Sequence, residues 1–235
     1  MVTYEQVRSD EEIKALIGAA DNILNVMQYT EHGTRHVTYV ANTASKILQK
    51  LGYPENLQEL AKICGYLHDI GNAINRHNHG ITGAIMVYPI LLRLGMPLED
   101  IAIIVSAIGN HEEELGVAVN PVSAAVIIAD KSDAHRTRVR RDSYDPTDIH
   151  DRVNFSILKN IVTVKSEKRI IASNFYMDKS SSVMEYFQIY LSRIQMSEHA
   201  AAYLNCAFQL YINDVLINTP KQKVVPPSDI NDQVN

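Results

Sequence analysis

The chain has no tryptophan, and only four phenylalanines and two cysteines in 235 residues. Cys64 and Cys206 lie far apart, outside any CxxC pair and each within an apolar stretch. They read as buried free thiols, which argues against a disulfide framework and fits a reducing compartment. No apolar run approaches the roughly 18 residues of a membrane span. The opening MVTYEQVRSDEEIKALI is too polar for a secretory signal, so the expectation is a cytoplasmic protein with no membrane partner. Excess positive charge is also missing. A net charge of −5 argues against a protein that coats duplex nucleic acid. It leaves room for a small anionic substrate, because a bound cation can supply the local positive charge.

What is present is aliphatic. Hydrophobic residues make up 46% of the chain, enough for a sizeable core in one large domain or a domain with an appendage. Apolar spacing of three and four predicts helices over 10–29, 35–51 and 56–69. Further helices are expected over 79–94, with Pro89 inside, and over 98–110. Gly52, Gly71 and Gly95 read as stops. Asn120-Pro121 is a cap followed by a first-turn proline, and the helix it opens is expected to run to about Val139.

The texture then changes. Residues 141–152 are charged and turn-rich. Segments 153–164 and 169–177 are β-branched and read as strands. A helix is expected over 182–204, then a strand over 206–217 with a turn at Asn213-Asp214. In that late helix Tyr186, Phe187, Tyr190 and Leu191 pack on the small sheet or, through an exposed portion, join two copies into a homodimer. The proline-bearing tail 220–235 is expected to be disordered. The fold class is therefore mainly α: a helical domain over 1–150, a small α+β unit over 151–219, and the tail.

The chemistry concentrates in the helical part. His36, His68-Asp69, His79, His111 and Asp130 lie on or at the ends of predicted helices. Imidazole and carboxylate are the ligands that divalent first-row metals take when no thiolate helps. Six such groups exceed what one tetrahedral zinc needs. His68 falls four after Cys64 on the apolar face, and Asp130 falls four after Val126. A buried unpaired aspartate is costly, and a metal offsets that cost. A lone inward histidine is ordinarily a satisfied core residue, so the weight rests on the ordered set. His32, His77, His135, His150 and His199 read as non-ligands, His32 being one turn from His36.

The string YLHDIGN (66–72) resembles the signature of the HD superfamily of metal-dependent phosphohydrolases. Four further pieces match in order: RHVTYVANTA (35–44), HGITGA (79–84), IGNHEE (108–113) and IIADKSDAHR (127–136). The resemblance implies an HD-type helical bundle with the metal site between helices. Its two additional histidines, His79 and His111, imply two divalent ions, among iron, manganese, magnesium, nickel and zinc. Asp69 would bridge them, with His36, His68 and Asp130 on one ion and His79 and His111 on the other. The implied reaction is hydrolysis of a phosphate ester or anhydride by metal-activated hydroxide. The implied substrate is a small phosphate compound, expected to be a nucleotide, as in the branch that cleaves diadenosine polyphosphates.

Asn72 stands where many relatives carry Lys or Arg. Arg76, Lys131, Arg136 or Arg138 would then supply the phosphate contact, and Glu112 would orient a ligand or accept a proton. The basic run 135–141 reads equally as a substrate attractor or as a solvated helix end. Two alternatives stay open: a di-iron oxygenase using the same ligands, and a non-catalytic nucleotide sensor.

Overall fold

The computed structural model describes residues 2–113, 116–140 and 144–219. Glu114, Arg141 and the tail 220–235 lie outside the described residues, and so does the expectation of a disordered tail.

The helices are α1 (Tyr4–Ser9), α2 (Glu11–Val26), α3 (Thr34–Lys50), α4 (Glu55–Leu67), α5 (His79–Arg93), α6 (Leu98–Gly109), α7 (Pro121–Lys131), α8 (Ile149–Ser156) and α9 (Val183–Tyr203). The strands are β1 (Ile157–Lys165), β2 (Ile170–Met177), β3 (Ala207–Ile212) and β4 (Val215–Leu216). The architecture is a helical bundle carrying a small four-stranded sheet. Among the described residues no helix is long and apolar enough to cross a membrane.

Helix α7 is the axis of the bundle. Every residue from Val122 to Lys131 is buried, with α3, α4, α6 and α9 packed around it. Continuous burial explains its near-unbroken apolar sequence. Asn120 caps it, its side chain accepting from the Ser123 N–H at 2.8 Å. The helix ends at Lys131, well short of the expected Val139. Asp133 is drawn out of helical register by Arg35 and His36 (2.7 Å each), and Arg136–Arg138 form a separate 3-10 turn. Long-range ion pairs here override local helix propensity.

Two glycines set how closely the site-bearing helices approach. A Cβ on Gly65 would lie 2.8 Å from the Ala41 Cα, so α3 and α4 can pack only with glycine there. Gly71 falls in the 3-10 turn Ile70–Ala73 that follows α4. Its φ is not left-handed, unlike those of Gly52 and Gly95. A Cβ on Gly71 would collide with the His79 carbonyl oxygen. Its role is space for α5 rather than a left-handed helix stop.

Strand order is β1-β2-β3-β4, with β1 and β2 antiparallel. β2 and β3 are parallel, so α9 is the crossover between them. β3 and β4 form a hairpin whose turn residues Asn213 and Asp214 both have positive φ (49° and 65°), the geometry that asparagine and aspartate tolerate in such turns. The expected strand 153–164 is corrected. Residues 149–156 form α8, capped by Asp148, whose side chain accepts from the His150 and Asp151 N–H groups, and β1 begins only at Ile157. One apolar core runs from Val7 and Ile13 through Val126 and Ile128 to Phe175, Tyr186 and Leu210. Bundle and sheet thus share a single interior. Cys64 and Cys206 are buried free thiols.

Candidate metal centre

Five helix ends deliver the polar interior. His36 is in the first turn of α3 and His79 opens α5. His68 caps the C-terminus of α4, and Asp69 follows it. His111 lies just beyond α6, and Asp130 in the last turn of α7. At a helix end adjacent residues escape the 100° divergence of the helix, so His68 and Asp69 reach one point.

The atoms fall into two groups around Asp69. Its Oδ2 lies 3.4 Å from both His36 Nε2 and His68 Nε2. Those imidazoles are 3.2 Å apart, and Asp130 Oδ1 lies 3.4 Å from the first and 3.6 Å from the second. Asp69 Oδ1 lies 3.2 Å from His79 Nε2 and 3.7 Å from His111 Nε2, themselves 3.1 Å apart. All six residues are buried.

The outward nitrogens fix the tautomers. Nδ1 of His68, His79 and His111 donates to the carbonyls of Gly65 (2.8 Å), Arg76 (2.9 Å) and Ile108 (2.6 Å). A carbonyl only accepts, so each Nδ1 carries a proton and each Nε2 is the ring nitrogen turned inward. His36 Nδ1 faces the Asp133 carboxylate at 2.7 Å. Four inward imidazole nitrogens and two carboxylates converge within hydrogen-bond distance, an arrangement that needs positive charge among them, from protons or from a cation. This donor set of nitrogen and oxygen fits divalent first-row metals.

The electrostatics point the same way. Burial disfavours charge on His68, yet Asp69 and Asp130 outweigh it and raise the imidazole to about 10. Burial also opposes charge on Asp69 and Asp130. For Asp69, His68 and the other imidazoles win; for Asp130, Lys131 and then His36 and His68 do. Both carboxyls sit well below the ordinary range. Burial lowers His111 to about 4. The protein itself thus draws positive charge to this spot.

Around the centre, Lys131 is buried and its Nζ donates to Asp130 Oδ2 at 2.7 Å. Glu112 accepts from the His79 N–H at 3.2 Å and lies 2.5 Å from His79 Nδ1, so it orients that imidazole. Asn72 donates to the Asp69 carbonyl (2.9 Å) and to Asp69 Oδ1 (3.0 Å), and receives Arg76 at 3.3 Å. The residue that departs from the HD pattern therefore braces the shared carboxylate, and Arg76 approaches from behind it. Arg136 and Arg138 are brought elsewhere. Arg136 pairs with Asp178 at 2.6 Å and donates to Phe155 O. Arg138 is buried against Asp133 and the Glu31 carbonyl. Both guanidiniums are engaged in contacts that hold the fold.

Sequence reasoning passed over Asp133 and Arg193, and took His32, one turn from His36, as a non-ligand. Asp133 is buried between His36, Arg35 and Arg138; its signal was an aspartate three residues after Asp130. His32 packs its ring 5.3 Å from that of His36, and burial and then Arg138 hold it neutral, well below its ordinary value. Arg193, on α9, pairs with Glu113 at 2.7 Å, and Glu113 lies 3.8 Å from Lys131. Nothing near Arg193 in sequence marks it.

A cleft of about 460 Å³ opens beside the centre, lined among others by His32, Arg76, Arg140, Asn154 and Arg193. Three of these touch the centre or its first neighbours: His32 through His36, Arg76 through Asn72, Arg193 through Glu113.

Residues 33–137 match the family model described as the HD domain. No curated protein matches the chain. HD domains bind divalent metals, and the clustered groups His36, His68, Asp130 and His68, Asp69, His111 lie in the matched segment. The chain therefore carries an HD domain over residues 33–137, the domain of a superfamily whose members are generally metal-dependent phosphohydrolases.

Proposed function

We propose that the protein hydrolyses a phosphate ester or anhydride of a small, nucleotide-like molecule, using two divalent ions that share Asp69. The observation that carries this reading is the division of one carboxylate: Asp69 Oδ2 faces His36 and His68 while Oδ1 faces His79 and His111. His36, His68 and Asp130 would hold one ion, and His79 and His111 the other. Bound there, the ions supply Lewis acidity toward the phosphoryl oxygens and lower the pKa of a water.

The chain's own residues position and balance charge. The Nδ1 contacts keep four Nε2 atoms directed inward. Lys131 occupies Asp130 Oδ2, which leaves Oδ1 for the centre. Asn72 fixes the Asp69 rotamer. Arg76 stands at the cleft wall beside Asn72 and has no carboxylate partner among the described residues, so its charge is available to a substrate phosphate.

The test is phosphate release from a panel of nucleotides and simple phosphate esters by the manganese-loaded protein, with Asp69→Ala alongside. The expected result is turnover that the variant loses by at least 1,000-fold, on the order of an electrostatic contribution of a few kcal/mol to the transition state. Full turnover in the variant, or oxygen uptake without phosphate release, overturns the reading.

A further inference from the structure

Arg193 is anchored at one nitrogen and open at two. It sits on α9, outside the HD segment, and lines the cleft beside the centre. Its Nε donates to Glu113 Oε1 at 2.7 Å. Glu113 is held in turn, its other oxygen accepting from the Ser192 hydroxyl at 2.9 Å. The guanidinium lies over the Tyr190 ring, 4.6 Å from its centroid. Among the described residues Nη1 and Nη2 have no hydrogen-bond partner, and neither is sealed from solvent. The side chain is 21% exposed.

Arg35 and Arg152 are used differently. Arg35 gives Nε to Glu31 and both terminal nitrogens to the Asp133 carboxylate. Arg152 gives Nε and Nη2 to Glu185, and Nη1 to the carbonyls of Pro146 and Thr147. A guanidinium recruited only to hold the fold spends its fork in this way. Arg193 is fixed at its side by Glu113 and at its face by Tyr190, while its end stays free. That end is the edge that meets two oxygens of one anion at once.

Its place ties it to the centre. Glu113 lies 3.8 Å from Lys131 Nζ, which donates to Asp130 Oδ2 at 2.7 Å. Only Glu113 and Lys131 thus stand between Arg193 and a carboxylate of the cluster. A fork held there and open to the cleft is positioned beside any phosphoryl group bound at the centre.

We infer that Arg193 is a substrate-binding residue whose two terminal nitrogens take two oxygens of a phosphoryl group, with Glu113 and Tyr190 holding the guanidinium still. The inference rests on the phosphohydrolase reading for the identity of the anion. It gives α9, and through it the C-terminal unit, a task in recognition. A lysine at this position keeps the charge but presents no planar fork.

The test uses the full-length, manganese-loaded protein. Phenyl phosphate is the substrate, and phenylphosphonate, which does not hydrolyse, is the calorimetric ligand. Arg193→Lys keeps a cation beside Glu113 and removes the fork. It is expected to retain its Tm and its manganese, and to raise the KM of phenyl phosphate and the Kd of phenylphosphonate about tenfold, the loss of a charge-assisted contact. The change should fall on KM more than on kcat, the pattern of a contact made equally in ground and transition states. Arg193→Ala should weaken both by about 100-fold, and added guanidinium ion at millimolar concentration should restore part of the loss, which a purely structural role does not give. The lysine variant decides alone if the alanine variant does not fold. No binding of phenylphosphonate to the wild type, a Kd unchanged in the lysine variant, or a weakening that merely follows lost manganese overturns the inference. Unchanged Kd with turnover intact does so while keeping the hydrolase reading. Absence of phosphate release from phenyl phosphate and from nucleotides, with phenylphosphonate binding still dependent on Arg193, overturns the hydrolase reading and keeps the anion site.

Discussion

Asp133 shows how a residue that touches no candidate ion can govern one. It holds His36 by Nδ1 and is itself clamped by Arg35 through two contacts of 3.2 and 2.7 Å. Partners of this kind set ligand orientation and basicity, and losing one costs about 10–100-fold in metal affinity. Asp133→Asn should weaken manganese binding by that factor in a chelator competition; an unchanged Kd contradicts the role. A pH effect belongs to the same scale. His68 is raised to about 10 from an ordinary 6.5, so at neutral pH it holds a proton that a dication must displace. That proton's stabilisation of the metal-free fold is complete below about 6.5 and lost as pH rises through about 10. Metal uptake at neutral pH should therefore release protons to an indicator dye, and affinity should fall as the pH is lowered. Uptake without proton release contradicts the account. The residues of the cluster were legible because each is a metal-binding type at a helix end, and because their order matches the HD pattern. Asp133 and Arg193 were not: both act through partners distant in sequence, with Arg35 and Asp133 separated by 98 positions.

Among the elements, the bundle was legible wherever periodicity and caps agree. Helix α3 shows Val37, Val40, Ala41, Ala44, Ile47 and Leu48 on its buried side, the three-four spacing that marks it in the sequence. Helix α1 was missed although Thr3 and Gln6 form a capping box, because six residues give periodicity too little length. Helix α8 was taken for strand because Val153 and Phe155 favour β structure, while the deciding signal was the Asp148 cap. Close packing yields a further prediction. Gly65→Ala must push α3 from α4, and overpacking of this kind costs about 1–3 kcal/mol, read as a lower Tm; an unchanged Tm contradicts the packing argument. At the other end of the chain, Ser182 caps α9 with Glu185 reciprocating. Ser182→Ala should cost about 1 kcal/mol, seen as a lower urea midpoint. Glu185 is lowered to about 2 by the Ser182 N–H, then by Arg152 and Ser181. Its stabilisation is present above the ordinary carboxylate range and fades as pH falls through about 2.

Across the whole molecule, bundle and sheet share one core, and α9 carries Arg193 from the C-terminal unit to the cleft beside the centre. With a cation held in the buried cluster of imidazoles and carboxylates, stability becomes linked to metal. Chelation should lower Tm, and restored metal should raise it, with a gain of about 2.7 kcal/mol in unfolding free energy for one ion at 100 times its Kd. The most direct test is elemental analysis of the purified protein beside Asp69→Ala. The account predicts close to two divalent ions per chain in the first and at most one in the second. A wild type free of metal after incubation with manganese, iron or zinc, or a variant that retains both ions, contradicts it.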